Sequence, residues 1–234
     1  MRPIATDTHD FASLRNDGCI YVDKTMYMHR LLTTKGAKLF FISRPRRFGK
    51  SLTVSAFKAL FQGRRELFEG LAIDKSDWAW ETYPVIHFEM NDLSVTSIET
   101  FEKTLANHVY GKLEQAGFVC DRNQLPSENF GKAIETLSAA NGGKGVVILI
   151  DEYDKPIVDN LGNPELADNF KKTLQGFYSV LKAKDGQIRF GFLTGVSKIG
   201  KLSVFSGLNN LRDISMLPEP VKEQICIMRQ YEGY

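Results

Sequence analysis

The chain has 234 residues, 30 Lys and Arg against 28 Asp and Glu, a formal net charge of +2, and 43% hydrophobic residues. That is enough apolar content for one large domain with a real core, and the near balance of charge excludes a global field drawing the chain to nucleic acid or membrane. The three cysteines, Cys19, Cys120 and Cys226, are far apart and odd in number, and no apolar run reaches membrane-spanning length or forms a signal-peptide core, so the expectation is a cytoplasmic chain without disulfide framework or metal-binding spacing.

In chain order, residues 1–37 precede the first core strand, with Phe11, Leu14 and Tyr21 as apolar anchors and a short helix over 25–32. Residues 38–43, with the run Leu39-Phe40-Phe41-Ile42, read as a strand. A tight loop follows, then a helix to about Phe61 with Val54, Phe57, Leu60 and Phe61 at helical spacing. Residues 62–77 read as a connection, and Trp78, Trp80 and Tyr83 as packing anchors rather than a base-stacking platform. Residues 84–90 are the second strand and hold a lone His87. Ile98, Phe101, Leu105, Val109 and Leu113 predict a helix over 97–115 that ends near Gly117. Residues 118–127 read as a loop. Phe130, Ala133, Ile134 and Leu137 give another helix, stopped by Asn141-Gly142-Gly143. Residues 146–150 are continuously apolar and rich in β-branched side chains, as in a strand buried on both faces. A turn at Tyr153-Asp154-Lys155-Pro156 follows, with Lys155 held extended by Pro156. Leu166, Phe170, Leu174, Phe177 and Leu181 mark a long helix, 188–193 the next strand and 211–216 a last one.

The loop after the first strand is Arg44-Pro45-Arg46-Arg47-Phe48-Gly49-Lys50-Ser51. Gly49-Lys50-Ser51 at a strand–loop–helix junction is what phosphate binding needs. Gly49, with Arg47 and Phe48 before it, lets backbone N–H groups approach a phosphate. Lys50 reaches the outer phosphates, and the hydroxyl of Ser51 suits Mg²⁺. The helix start adds its unpaired N–H groups. The usual first glycine of such loops is Arg44 here, so the loop must turn without it, through the fixed φ of Pro45. Asp151 and Glu152 end their strand where ligands bind in open α/β sheets. Asp151 fits the acid that holds Mg²⁺ through water, and Glu152 the base that polarises an attacking water. A basic surface loop and a solvated strand end are the plain alternatives for the two motifs taken singly. Their joint occurrence in this order favours nucleotide binding.

Ser43-Arg44-Pro45-Arg46-Arg47-Phe48-Gly49-Lys50-Ser51, Ile150-Asp151-Glu152-Tyr153-Asp154-Lys155-Pro156 and Leu193-Thr194-Gly195-Val196-Ser197-Lys198 resemble motifs of the bacterial AAA-ATPase-like family. Tyr21-Val22-Asp23-Lys24-Thr25 and Phe205-Ser206-Gly207-Leu208-Asn209-Asn210 resemble it too. The resemblance implies a three-layer α/β P-loop NTPase with a mostly parallel sheet of about five strands, ATP as ligand and Mg²⁺ as cofactor. It places a preface at 1–37 on the nucleotide site, the ATPase core at 38–217, and the remnant of a lid or the start of a next domain at 218–234. In such ATPases an extra strand between the P-loop strand and the Asp-Glu strand sets a polar side chain near the γ-phosphate. Thr194 fits that sensor, with Ser197 as runner-up and Lys198 and Lys201 just beyond. A hydroxyl capping the next turn is the plain alternative. Asp154 fits an acid behind the first two or a simple turn, and Tyr21, Asp23 and Lys24 either approach the base or dock the N-terminus. One of Arg44, Arg46 and Arg47 would complete the charge stabilisation. In the family this module usually precedes a nuclease-like domain of the PD-(D/E)xK type. The expected partners are therefore a nucleotide and such a domain, with nucleic acid and oligomerisation left open and no membrane. Mg²⁺-dependent ATP hydrolysis by a regulatory or motor module is the expected function. A nucleotide-dependent binding switch is the alternative, motivated by Arg44 and by a lid that looks truncated.

Overall fold

The apolar runs of the sequence become one parallel sheet. The computed structural model describes residues 3, 8–93, 97–196, 204–205 and 208–215. The expectations placed on Ser197, Lys198, Lys201, Ser206, Gly207 and residues 216–234 lie outside these. In chain order the elements are α1 (Phe11–Asn16), α2 (Thr25–Thr33), β1 (Leu39–Ser43), α3 (Lys50–Phe61), β2 (Val85–Glu89), α4 (Ile98–Gln115), α5 (Pro126–Ala140), β3 (Val146–Asp151), α6 (Lys155–Val158), α7 (Pro164–Tyr178), α8 (Val180–Ala183), β4 (Ile188–Gly195) and β5 (Leu211–Asp213). The strand order is β2-β3-β4-β1-β5, and every neighbouring pair is parallel. The expected α/β sheet of about five strands is therefore present, with β4 inserted between β1 and β3.

Alternation along the strands creates the three layers. Leu39 and Phe41 of β1, Ile86 and Phe88 of β2 and Ile148 and Ile150 of β3 face a core shared with α4, α5 and α7. Phe40 and Ile42, Val147 and Leu149, and Phe190 and Phe192 face the opposite core, shared with α1, α2 and α3. Strands covered on both sides must be apolar throughout, which is why β1 and β3 are continuous runs. Phe57 of α3 sits 4.9 Å from the rings of both Phe190 and Phe192. Truncating so enclosed a side chain costs about 3–5 kcal/mol.

Several boundaries differ from the sequence expectation for identifiable reasons. The segment 118–127, read as loop, ends inside a helix, because α5 starts at Pro126. A first-turn proline gives up an N–H that the helix does not use, and the Leu125 N–H is taken by the Glu128 carboxylate at 3.1 Å. Lys155 is not held extended by Pro156. It opens α6 with Pro156 behind it in the first turn, the place where proline is tolerated. The connection 62–77 contains two short 3₁₀ turns, at Arg65–Phe68 and Ala72–Lys75. Trp78 and Tyr83 pack edge-on against Phe61, and Trp80 lies against Phe68, so these aromatics are anchors as read. The last strand stops at Asp213.

The preface is tied down by polar contacts. The Phe11 N–H donates to Ser55 Oγ at 2.9 Å, and Arg15 Nε donates to the Leu67 carbonyl at 2.7 Å. Asp23 accepts from the Thr25 N–H at 2.8 Å and from the Ala72 N–H at 2.7 Å, which docks the start of α2 on the second 3₁₀ turn.

His87 sits in the edge strand β2 with its Nε2 buried and without a hydrogen-bond partner among the described residues. Burial lowers its pKa to about 4, helped by the positive charges of Lys58 and Lys112 and opposed by the negative charges of Glu89 and Asp151. The unfolded chain takes up this proton first, near the ordinary histidine value, so stability is full above about pH 6.5 and is lost as pH falls toward 4. The expected loss through this side chain is on the order of 3 kcal/mol. Urea unfolding at pH 7 and pH 4 should show it, and His87→Gln should flatten that part of the profile. An equal slope in both proteins would contradict the assignment.

Candidate functional site

The carboxyl ends of β1, β4 and β3 lie side by side, so the loop after β1 and the acids after β3 face one edge of the sheet. Within the loop, Arg44 is a strut. Its N–H donates to the Gly195 carbonyl at 3.1 Å, and its guanidinium donates to the carbonyls of Ser43 at 3.3 Å and Ser215 at 3.1 Å. Ser215 Oγ accepts from the Ser43 N–H at 2.7 Å. The first position of the loop needs no glycine, because Arg44 is not left-handed. Further along the loop the left-handed residues are Arg47 at φ 66 and Gly49 at φ 70. Glycine adopts that region freely, whereas an arginine there stores roughly 1–3 kcal/mol of strain.

Gly49 caps α3 without a side-chain hydrogen bond, and the N–H groups of a helix's first turn point away from the helix. Lys50, the first residue of α3, is 7% exposed, and its Nζ donates to the Pro45 carbonyl at 3.0 Å. Phe48 and Ser51 flank this pair and are half-buried. Arg46 and Arg47 are exposed on the loop.

On the acid side, Asp151 is buried and Thr194 fully so. The Thr194 hydroxyl donates to Asp151 Oδ1 and accepts from the Glu152 N–H at 3.2 Å. The Tyr153 N–H donates to the Thr194 carbonyl at 2.9 Å. Thr194 thus orders both acids from the neighbouring strand. Glu152 is left-handed at φ 55, one of three non-glycine residues with positive φ among the described residues, and Arg47 is another. Its carboxyl is half-buried and held above the usual carboxylate range. Burial is the first cause and the Asp151 charge the second, with Lys50, Lys155 and Arg46 pulling the other way. The opposing pull of Lys50 and Arg46 places Glu152 within electrostatic reach of the loop.

Asp154, legible in the sequence only as a turn residue or a supporting acid, is fully buried. Both its carboxylate oxygens accept from the Val196 N–H at 3.2 Å. Asp23 is engaged with α2 and the 3₁₀ turn, as described above. Tyr21 and Lys24 line a gap between α2 and α3 of about 10 Å³, room for one water. Among the described residues no group of three or more His, Cys, Asp or Glu side chains is placed to hold a metal. Among them, too, no helix is long and apolar enough to cross a membrane.

A five-stranded parallel sheet with a glycine-lysine-serine loop after β1, paired acids after β3 and a fourth strand wedged between them is the architecture of a P-loop NTPase-like α/β protein. More specifically, the chain belongs to the AAA-ATPase-like family, described as Predicted AAA-ATPase, which matches it over residues 3–205. It is also 41% identical over 216 residues to a protein of Azotobacter chroococcum mcd 1 described as "Uncharacterized protein in vnfD 5'region". That match covers 92% of this chain, which spans 40% of the relative's length.

Proposed function

We propose that the chain binds ATP and hydrolyses it with Mg²⁺, as the ATPase module of a larger protein. The observation that carries this reading is the strand order, which brings the Gly49-Lys50-Ser51 loop after β1 and the Asp151-Glu152 pair after β3 to one edge of the sheet, with Thr194 fixing the acids from the strand between. Lys50 and the amides of Arg47, Phe48 and Gly49 would hold the phosphates. Ser51 and Asp151 would hold Mg²⁺. One hydroxyl and one carboxylate suit an ion that takes most of its ligands from water and phosphate. When bound, the ion offsets the negative charge of the outer phosphate oxygens. Glu152 would take the proton of the attacking water, and its raised proton affinity brings it closer to the ambient pH at which a general base works best. Thr194 would report on the γ-phosphate through its contact with Asp151.

Residues 1–37 would act as a preface fastened to α3, residues 38–217 as the ATPase core, and 218–234 as the start of further structure. The length of the relative beyond this chain supports a further domain, and the family resemblance points to a nuclease-like one with a regulatory or motor role for this module. A nucleotide-dependent switch with little turnover is the second reading. It is favoured by Arg44, whose guanidinium is engaged with the carbonyls of Ser43 and Ser215.

Phosphate release with Mg²⁺-ATP, measured across a series of protein concentrations, tests the proposal. P-loop enzymes without an arginine supplied in trans turn over on the order of 10⁻⁴ to 10⁻² per second, and that range is expected here. A specific rate that climbs with concentration would mean that a neighbouring subunit completes the site. A fast rate independent of concentration would assign the completing charge to Arg46 or Arg47 of the same chain. No release above background would leave only the switch.

A further inference from the structure

Three consecutive residues at the end of β4 each hold a different part of the site. Thr194 binds Asp151 and the Glu152 N–H through its hydroxyl and the Tyr153 N–H through its carbonyl. Gly195 accepts from the Arg44 N–H, the first amide of the phosphate loop. The Val196 N–H donates to the buried Asp154 carboxylate. Space at this junction is closed. A Cβ on Gly195 would fall 2.3 Å from Tyr153 Cε1 and 2.8 Å from Asp154 Oδ1. The Tyr153 ring is held by Phe41 at 5.4 Å and Phe205 at 4.8 Å, and its carbonyl accepts from the Tyr178 hydroxyl at 3.3 Å. A carboxylate with no exposed surface is retained at a cost in solvation and must be compensated where it stands. Here part of that compensation is the one backbone amide that terminates the three-residue bridge.

We propose that Asp154 is a positioning residue: by holding Val196 it keeps the Thr194-Gly195-Val196 bridge taut, so that the phosphate loop and the Asp151-Glu152 pair move as one body. The proposal rests on the hydrolysis reading for its rate consequence but not for its structural one. Asp154 is fully buried. Its influence runs through Val196 and Gly195 to Arg44 on one side, and through Thr194 to the left-handed Glu152 on the other. The class of role is therefore alignment of a base against a phosphate, to which a small displacement matters.

The test compares Asp154→Ala with Asp154→Asn in the full chain. In the alanine variant, amide hydrogen exchange should quicken by roughly tenfold at Arg44 and Glu152 as well as at Val196, because the three share one cooperative unit. Its kcat for Mg²⁺-ATP should fall by about tenfold or more while KM and nucleotide affinity stay within about threefold. The asparagine oxygen still accepts from Val196, so that variant should recover turnover to within about threefold of wild type. Faster exchange confined to Val196 would overturn the proposal. So would an equal loss of affinity and kcat in both variants with a lowered unfolding midpoint, the pattern of a merely structural residue. If the alanine variant does not fold, the exchange of Arg44 against that of Val196 in the asparagine variant decides, since a coupled bridge must move both. A wild-type chain that does not hydrolyse ATP would remove the rate prediction and the ATPase reading, leaving the exchange pattern to decide on the bridge.

Discussion

Replacing Lys50 by alanine is expected to weaken ATP binding by roughly 10- to 150-fold, the worth of a charge-assisted contact of about 1.5–3 kcal/mol. The side chain is almost wholly enclosed, with its ammonium group resting on the Pro45 carbonyl. It is therefore stored inside the loop, beside the α3 amides that an anion would meet. Alanine removes the charge and introduces no buried polar atom, so the fold should survive with at most a modest loss from the deserted Pro45 oxygen. Titration calorimetry with Mg²⁺-ATP, alongside circular dichroism of the same samples, measures both effects. Unchanged affinity in a folded variant would sink the assignment of this loop to phosphate.

Glu152→Gln should separate binding from turnover. Affinity for ATP should stay near wild type, while hydrolysis falls by about 10²- to 10⁴-fold, the usual contribution of a positioned base. The same variant carries a stability signature. Burial and the neighbouring Asp151 charge raise the proton affinity of Glu152 in the folded chain. The ionised form is thus disfavoured by folding, and wild type loses stability as pH rises from the ordinary glutamate value through the raised one. Glutamine keeps the shape and the left-handed backbone but has no such titration. Thermal unfolding should show the two proteins alike near pH 4 and the glutamine variant more stable at pH 8. Wild-type turnover in the variant would remove Glu152 from the reaction. Asp154 could not replace it, because that carboxylate is fully buried and holds Val196.

The central strands and the two motifs were legible because their causes are local. β1 and β3 are continuous apolar runs, and Gly49-Lys50-Ser51 and Asp151-Glu152 follow them at once. The insertion of β4 came from the family resemblance rather than from any pattern in residues 188–195, which differ little from those of another buried strand. What was hidden depends on distant partners. Arg44 reads as a defective glycine until Ser215, far along the chain, is seen to receive its guanidinium. Thr194 reads as a hydroxyl aimed at a ligand, whereas its hydrogen bonds run to Asp151 and Glu152. Asp154 has the composition of a turn, and its burial follows only from the close passage of Gly195. The start of α5 at Pro126 and the helical Lys155 were missed for another reason: proline marks both loops and helix starts, and the sequence around it did not decide between them.

The sheet order also has a consequence for synthesis on the ribosome. Among the described residues the partners of β1 are β4 and β5, which span residues 188–195 and 211–213. β1 itself is finished at residue 43, so most of the chain must emerge before this apolar strand finds either neighbour. Until then Leu39, Phe40, Phe41 and Ile42 can be sheltered only by helices or by a chaperone, in a topology whose long-range pairing is slow to form. β2 and β3 can pair much earlier, so a nascent chain stalled before residue 188 would hold the Asp151-Glu152 half of the sheet without the phosphate-loop half. Such a fragment would expose a sticky strand, and the two halves of the proposed site would be joined only when β4 slides between them.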